Sequence, residues 1–284
     1  NQSIIHIFNY NYIVDGKNFI EEPINVYADK FSHEITFIST KKNYLKNIRQ
    51  TLNDCDIEVE RFISRTFVLG IQLLKQSELQ SGAVIIDFGY EKTSLGLFSN
   101  LALIHSMTFP VGYNHIIKDI SKVCSLNLEE SKNIISEIDF TFEDNQKMFD
   151  ENNNLKKNYF VDSNYRKISK NLILDVIKFR LDEILDILKK QLSFSGFDSK
   201  PGINLAIHQN CNFIDVENYF ADFFQFNIKK NKNMEDVKKN FIACLGAVEL
   251  TKNGWETEAI PQIDDKTEEK MGFFSKLFRF NKKN

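Results

Sequence analysis

The chain has 284 residues, of which 42% are hydrophobic and 26% charged, and its formal net charge is −3. This balance is that of a soluble globular protein, and the length suggests about two domains. The slight negative charge argues against a protein that coats nucleic acid, so we expect no nucleic-acid partner. The sequence shows no signal peptide and no apolar run of about 18 residues that would span a membrane.

The four cysteines stand at positions 55, 124, 211 and 244, a spacing that does not suggest a zinc site. Because no signal peptide is visible, we expect reduced thiols in a cytosolic protein. Cys244 lies among apolar residues and is expected to pack in the interior. We predict no metal site and no catalytic residue.

Strand-like and helix-like patterns alternate along the chain, which is typical of an α/β fold. Before residue 82 the patterns predict strands at 3–8, 24–27, 34–40 and 57–63, and helices at 41–53 and 67–79. Three strands follow, at 83–87, 93–98 and 101–109. Ser99 and Asn100 fit a two-residue hairpin turn between the last two, so this block predicts an antiparallel meander.

The second half of the chain is predicted to be mostly helical. Residues 112–138 predict two helices, with Asn127 as the N-cap of the second, and 142–158 form a polar loop. Apolar residues spaced by three and four predict a long helix at 168–192. The remaining elements are a strand at 203–207 and helices at 215–223 and 234–250.

The carboxyl-terminal residues separate into a polar stretch, which we interpret as a flexible linker at 253–270, and an amphipathic helix at 271–284. On a helical wheel at ~100° per residue, the apolar and cationic residues occupy opposite sides. The apolar side holds Met271, Phe273, Phe274, Leu277, Phe278 and Phe280, and the other side holds Lys276, Arg279, Lys282 and Lys283. This pattern favours a helix that lies in an anionic membrane surface. The alternative is a helix that packs on its own domain or on a partner protein.

The block at 82–121 carries the motifs of a known family. Asp87 and Gly89 match a strand followed by Asp-x-Gly-Gly-Gly-Thr. Gly112, Asp119 and Ile120 match a Val-Gly-Gly turn that leads into a helix containing Asp-Ile. The order of these motifs resembles the second-domain core of FtsA, a family of bacterial cell division proteins in the actin superfamily.

The resemblance extends along nearly the whole chain. Arg166 and the helix after it resemble the long helix of the family's subdomain 2B, and Gly246 matches the glycine of its final helix. The residues that match the subdomain 1C pattern are Tyr12, Asp15, Ile20 and Pro23. Because residue 1 is Asn and the family's first phosphate loop would lie upstream, we expect the chain to be the carboxyl-terminal part of a longer protein.

The resemblance implies an actin-like, ribonuclease H-like domain 2 that is complete and is preceded by a remnant of domain 1. The implied divisions are subdomain 1C at 1–39, subdomain 1A at 40–82, subdomain 2A at 83–118 and 197–252, subdomain 2B at 119–196, the linker at 253–270 and the tail helix at 271–284.

In this superfamily a glycine-rich hairpin lets backbone amides approach the phosphates of ATP, which is bound with Mg²⁺. The resemblance places Asp87, Gly89, Lys92 and Gly112 at that site. Several positions depart from the family pattern. Where the family has glycine, this chain has Tyr90, Glu91 and Tyr113, and where it has threonine, this chain has Lys92. The family's nucleoside contacts are replaced by Ser131, Lys132 and Ile135, and its adenosine loop is replaced by residues 206–209. These changes predict weak or lost nucleotide binding and no enzymatic activity.

Two alternatives stay open at this site. Nucleotide could bind through other backbone groups, and Asp87 could simply cap a turn at the end of its strand. Asp119 is expected to be a helix residue, and His208 is expected to be a loop residue without a chemical role.

The function that the resemblance implies is that of an adaptor. It would bind the carboxyl-terminal peptide of FtsZ through Arg166 and Arg180, associate with itself into filaments and with other division proteins, and sit peripherally on the cytoplasmic face of the inner membrane. The alternative for the two arginines is solvated helix charge, with Arg180 paired to Glu183. The other functions considered are an ATPase or sugar kinase of the same superfamily and a PilM-type pilus-assembly scaffold, which would not need a basic amphipathic tail.

Overall fold

The fold was obtained as a computed structural model, which describes residues 1–19, 21–142, 145–209, 213–228 and 236–259. The strands are β1 (Gln2–Val14), β2 (Lys17–Phe19), β3 (Phe31–Lys41), β4 (Ala83–Phe88), β5 (Thr93–Ser99), β6 (Ala102–Phe109), β7 (Asn204–Gln209), β8 (Asn227–Ile228) and β9 (Glu258–Ala259). The α-helices are α1 (Lys42–Asn53), α2 (Arg65–Leu73), α3 (Gln76–Ser81), α4 (Tyr113–Cys124), α5 (Leu128–Glu137), α6 (Lys170–Phe194), α7 (Val216–Phe224) and α8 (Asp236–Asn253). None of these described helices is both long and apolar enough to cross a bilayer.

The central sheet has the strand order β6-β5-β4-β7-β8. Strands β4, β5 and β6 form the predicted antiparallel meander, whereas β7 pairs parallel with β4, and β8 pairs parallel with β7. All six residues of β4 are buried, because helices cover both faces of the sheet. The class is therefore α/β with a mixed sheet, as the sequence predicted.

Alternate residues of β4 point into two separate cores. Val84, Ile86 and Phe88 belong to the larger core, which they share with helices α4 to α7. Ala83 and Ile85 belong to the smaller core, which β1, α2 and α8 complete. Gly246 allows α8 to approach α2 closely, since a Cβ atom there would lie 2.5 Å from the carbonyl oxygen of Val68.

A second sheet is built around β1, which pairs antiparallel with β2, β3 and β9. Strand β9 follows α8 directly, and the segment before it is also bound: the Trp255 indole Nε1 donates to the Leu101 carbonyl oxygen over 2.7 Å. The first residues of the expected linker at 253–270 are thus part of the folded body. Its remainder, 260–270, and the predicted helix at 271–284 lie outside the described residues.

Several predicted elements differ from the structure. Residues 24–27 and 57–63 are not strands, because neither segment finds a partner strand; Tyr27 is fully exposed. The helix predicted at 67–79 is divided into α2 and α3, since Leu74 is extended and buries its side chain. The polar loop at 142–158 contains two 3-10 turns and buries Met148, Phe149 and Leu155.

The environments of the described cysteines are mixed. Cys124 is buried, but Cys55 and Cys244 are exposed, so the prediction that Cys244 packs in the interior is wrong. Cys244 lies on α8 on a side that faces away from the packed residues Ile242 and Gly246.

Candidate functional site

Three side chains meet where β4 and β7 end. Asp87 and His208 are register partners on these parallel strands, and His208 Nδ1 lies 2.7 Å from Asp87 Oδ1. Arg65, the first residue of α2, donates from Nε to Asp87 Oδ2 over 2.6 Å. His208 therefore lies on a strand, is 4% exposed and contacts Asp87, so the expectation that it lies in a loop is wrong.

The charge of Asp87 is compensated within the chain. Burial acts to raise the pKa of its carboxyl, but the hydrogen bonds from His208 and Arg65, together with the positive charge of Arg65, outweigh burial and hold that pKa below its ordinary value. Asp87 is therefore a carboxylate whose two oxygens already accept hydrogen bonds from protein groups. A metal-bound phosphate at this carboxylate would have to compete with both donors.

The hairpin between β4 and β5 packs on the amino terminus of α4. The Tyr113 amide donates to the Gly89 carbonyl over 3.1 Å, and the Asn114 amide donates to the Tyr90 carbonyl over 2.9 Å. This close approach requires Gly112, because a Cβ atom there would lie 2.3 Å from the Gly89 carbonyl oxygen. The first backbone amides of a helix can bind an anion, but those of α4 donate instead to carbonyl groups of the hairpin between β4 and β5.

Side chains also fill the space around this hairpin. The rings of Tyr90 and Tyr113 meet edge to face with centroids 5.2 Å apart. The Glu91 carboxylate accepts a hydrogen bond from the side-chain Nδ2 of Asn114 over 2.6 Å, while Lys92 is exposed. The two tyrosines and the glutamate therefore occupy the place where the sequence analysis expected glycine.

Glu130 on α5 is a buried carboxylate that sequence reasoning missed as a site residue. Its Oε1 atom accepts hydrogen bonds from three successive amides, those of Val161, Asp162 and Ser163, over 2.7 to 2.9 Å. Burial acts to raise the pKa of this carboxyl, but the bonds from Ser163 and the other amides lower it to about 2. The signal in the sequence is the capping box that begins at Asn127, in which Glu130 accepts from the Asn127 amide.

The neighbouring positions on α5 do not form a polar site. Ser131 is buried and donates to the Asn127 carbonyl, Lys132 pairs with Glu129 on the surface, and Ile135 is in the larger core. The structure thus gives all three residues ordinary helix roles.

Arg180 contacts α4, and Arg166 contacts the residue just after it. The Arg180 Nε atom donates to Asp119 Oδ2 over 2.7 Å, and its Nη1 donates to Glu183 on the same helix. The hydrogen bond with Asp119 is the largest cause of the raised pKa of Arg180. Arg166 is exposed and donates to the Ser125 carbonyl just after α4 ends. Asp119 is thus a helix residue, as predicted, and the structure includes the predicted pair of Arg180 with Glu183.

A groove of about 250 Å³ runs between α4 and α6 beside Arg180. It is lined by Val123 on α4, by Val176 and Phe179 on α6, and by the charged side chains of Asp119, Arg180 and Glu183; Phe179 is 75% exposed. A second depression on the other side of Asp119 is lined by residues that include His115, Lys118 and Lys122. The surface therefore joins a groove that is only partly apolar to a pair of lysines. Sequence reasoning missed Phe179, although its place outside the apolar stripe of α6 indicated an exposed ring.

Comparison with known proteins adds sequence relatives. No protein-family model matches the chain. The cell division protein FtsA of Bacillus subtilis is 24% identical over 201 residues, which cover 71% of this chain and 45% of that protein. FtsA of Agrobacterium fabrum is 21% identical over 214 residues, 72% of this chain and 46% of that protein. The chain spans about half the length of the curated relatives it matches.

Solved structures agree on the fold. MreB 5 of Spiroplasma citri bound to AMPPNP is similar with a TM-score of 0.53 at 16% identity, over 75% of this chain and 65% of that one. The PilM-PilN type IV pilus biogenesis complex gives 0.55 at 12% identity, over 87% and 65%. The chain is an FtsA-like protein with an actin-like fold.

In this FtsA-like chain the four predicted cofactor residues cluster around one hairpin. Asp87 precedes it, Gly89 and Lys92 form it, and Gly112 packs against it. Arg65 is the residue that the sequence analysis did not anticipate, since no motif marks it. No cluster of three or more histidine, cysteine or acidic side chains suited to a metal occurs in the described part of the chain.

The predicted membrane residues of the FtsA-like chain are not covered by the structure. Met271, Phe273, Phe274, Lys276, Leu277, Phe278, Arg279, Phe280, Lys282 and Lys283 all lie outside the described residues.

Proposed function

We propose that this chain acts as an actin-like membrane adaptor of bacterial cell division, which tethers FtsZ filaments to the cytoplasmic face of the inner membrane. The observation that carries the proposal is the similarity to FtsA across about 70% of the chain, in proteins named for cell division. The actin-like fold supports it.

The proposed role does not require ATP hydrolysis, and we propose that nucleotide binding is weak or lost. Both Asp87 oxygens accept hydrogen bonds from Arg65 or His208, and the first amides of α4 bind the hairpin. A triphosphate with Mg²⁺ would fit this site only if these contacts broke and the hairpin changed its conformation. The adaptor therefore works by binding rather than by turnover.

The groove between α4 and α6 is the proposed site for the carboxyl-terminal peptide of FtsZ. An apolar side chain of the peptide would bury against Val123, Val176 and Phe179. Acidic residues of the peptide would meet Lys118 and Lys122 next to it. Arg180 contributes less charge than the sequence suggested, since it is already paired with Asp119 and Glu183. Arg166, an exposed cation next to the end of α4, is also part of the proposed peptide site.

The second attachment is the amphipathic tail at 271–284, which carries four cations and no acid. One interfacial helix binds lipid weakly, but self-association into filaments would present many copies at once and raise the overall affinity. This is the physical reason that a filament-forming protein can use so short an anchor.

A bridging assay tests both attachments together. Anionic vesicles are mixed with the full chain and a fluorescent peptide of the FtsZ carboxyl terminus, and the peptide that floats with the vesicles is measured. Deletion of 271–284 should abolish flotation but leave the affinity for the peptide in solution unchanged. Phe179→Ala should weaken peptide binding about tenfold, because it removes the exposed wall of the groove, and Arg180→Glu should also weaken it.

Phe194→Ala is the matched control, since Phe194 is 86% exposed at the far end of α6. Equal peptide affinities for the wild type, Phe179→Ala and Arg180→Glu would remove the groove from the proposal. Undiminished flotation after the deletion would remove the tail.

A further inference from the structure

Buried contacts join the segment at 255–259 to the start of α2. The Glu258 side chain is 2% exposed, and its Oε1 atom lies 2.5 Å from both His6 Nδ1 and Arg61 Nη2. His6 Nε2 accepts a hydrogen bond from the Ser64 amide over 2.7 Å, so Nδ1 carries the proton and donates to Glu258. Because Ser64 is the residue directly before α2, the segment acts on the first turn of that helix.

A second, aromatic contact reaches the same turn. Phe67 is fully buried, and its ring meets the rings of His6 and Trp255 edge to face, with centroids 5.0 and 5.9 Å away. The Trp255 indole is fixed in turn by its hydrogen bond to the Leu101 carbonyl. Polar and aromatic contacts of the segment therefore both end on residues 64–67.

The first turn of α2 also carries Arg65, whose Nε donates to Asp87 Oδ2 over 2.6 Å. The position of Arg65 follows from that of Ser64, whose extended backbone (φ −65°, ψ 128°) sets the direction in which α2 starts. A continuous path of hydrogen bonds and one peptide bond therefore leads from Glu258 to Asp87.

The segment at 255–259 is the element of this path that can open. Its strand β9 has two residues, which pair with Ile7 and Phe8 of β1. So short a pairing opens at a lower free energy than the central sheet does. Once it opens, the buried His6 Nδ1 proton loses its acceptor, so His6 can no longer hold the Ser64 amide without a cost in free energy.

We propose that the segment at 255–259 controls the contact between Arg65 and Asp87. While the segment is docked on β1, the first turn of α2 holds Arg65 on the carboxylate. When it undocks, that turn relaxes, and Asp87 loses Arg65 as a partner and becomes more accessible to a cation. The chain continues from Ala259 into residues 260–284, so a force that draws those residues from the body reaches the segment first. The inference rests on the proposed function only for the source of that force, which is the tail at 271–284 on a membrane.

The test follows two protons of the ¹⁵N-labelled full chain in solution without lipid, the Arg65 Nε proton and the Ser64 amide proton. Glu258→Ala undocks the segment by removing the acceptor of His6, and Trp255→Phe loosens it independently by removing the indole donor. Each variant should speed the exchange of both protons with solvent, measured by NMR, at least about fivefold. Glu256→Ala, on an exposed neighbour, is the matched control and should exchange like the wild type.

The coupling should also act in the opposite direction, because two linked contacts stabilise each other equally. Arg65→Ala should speed exchange of the Asn9 amide, which donates to the Thr257 carbonyl over 2.8 Å, by a similar factor. Glu130→Gln alters a buried carboxylate on α5, away from this path, and should leave all three protons unchanged.

Two results would overturn the inference. The first is an Arg65 Nε proton that exchanges in Glu258→Ala and Trp255→Phe as it does in the wild type, since the segment would then only brace the end of α8. The second is a Glu130→Gln variant that speeds all three protons as much as Glu258→Ala, since exchange would then report unfolding of the whole chain. Deletion of 271–284 should leave the three protons unchanged in solution, so a failure of the tail anchor in the flotation assay cannot be mistaken for a failure of this coupling.

Discussion

Glu130 shows how one side chain can hold a loop. Its carboxylate accepts hydrogen bonds from the amides of Asn127 and of 161–163, and from the Ser163 hydroxyl over 2.6 Å. The turn at 161–163 lies at the surface, but these amides converge on the buried Glu130 carboxylate, so the charge of Glu130 and the conformation of the loop depend on each other.

This arrangement predicts a pH dependence of stability. The folded pKa of Glu130 is about 2, below its ordinary value of 4.5, so the stabilisation is complete above pH 4.5 and is lost as the pH falls from there towards 2. The difference corresponds to about 3 kcal/mol of unfolding free energy. Urea denaturation at pH 7, 5 and 3 measures it.

The Glu130→Gln variant is the control, because it cannot titrate. It should be less stable than the wild type at pH 7, and the difference in unfolding free energy between the two proteins should decrease as the pH falls through 4.5. A gap of constant size from pH 7 to 3 would contradict the assignment.

At the residue scale, the sequence predicted where individual residues lie in the fold better than it predicted which residues they contact. The motif placed Asp87 at a strand end correctly, since a buried apolar run before an acid marks such an end. Arg65 and His208 could not be connected to it, because their contact depends on the parallel register of β4 with β7 and on where α2 begins. Neither the strand register nor the first residue of α2 can be derived from a single sequence.

Among the elements, β9 and the segment before it form the least expected feature. His6 is buried and its Nε2 accepts from the Ser64 amide over 2.7 Å, so its proton is on Nδ1, which donates to Glu258 Oε1 over 2.5 Å. Arg61 donates to the same oxygen. We call residues 255–259 the strap, because these contacts fasten the end of α8 to β1.

Removal of the Glu258 side chain should loosen the strap. Glu258→Ala leaves the His6 Nδ1 proton and the Arg61 guanidinium without their acceptor, which should cost about 1–3 kcal/mol of unfolding free energy. Hydrogen exchange should also become faster at 255–259 and at 6–9.

Glu256→Ala, on an exposed neighbour, is the matched control and should leave both measurements unchanged. If Glu258→Ala and Glu256→Ala behave alike, the buried contact does not hold the strap.

Patterns in the sequence predicted the elements that lie against the cores. The meander and the helices α4, α5 and α6 are confirmed, because their apolar spacing reflects burial against the central sheet. The strap was predicted to be a linker, since Gly254 and nearby acids are typical of one. Tertiary contacts give it structure: Glu258 binds His6, Trp255 binds the Leu101 carbonyl, and β9 pairs with β1. The strand predicted at 24–27 is wrong for the opposite reason: the segment has strand-like residues but no partner strand.

For the whole molecule, the central question is whether nucleotide stabilises the fold. A ligand that binds at a Kd near 10 µM would add about 2.7 kcal/mol at 1 mM and raise the melting temperature by several degrees. Because Arg65 and His208 already satisfy Asp87, we expect no rise for the wild type with ATP and Mg²⁺, measured by differential scanning fluorimetry.

Arg65→Ala is an informative companion, since it frees one side of the Asp87 carboxylate. A rise in the variant alone would identify Arg65 as the group that blocks the site. A rise of several degrees in the wild type would contradict the prediction of weak binding.

At this scale the sequence predicted the fold class and the relatives, because motif order is retained even where individual glycines are replaced. It did not predict the exposure of β3 and α1. That exposure depends on how the sheet around β1 sits on the body: β3 alternates between more and less exposed residues, and α1 has no buried residue.

The strap also determines how mechanical load would enter this protein. If a force were applied beyond Ala259 in the direction of β9, the hydrogen bonds of β9 with β1 would be sheared together and not broken one after another. The Glu258 and Trp255 contacts add resistance at the same point. Tension of that kind would thus load β1 before it reaches α8.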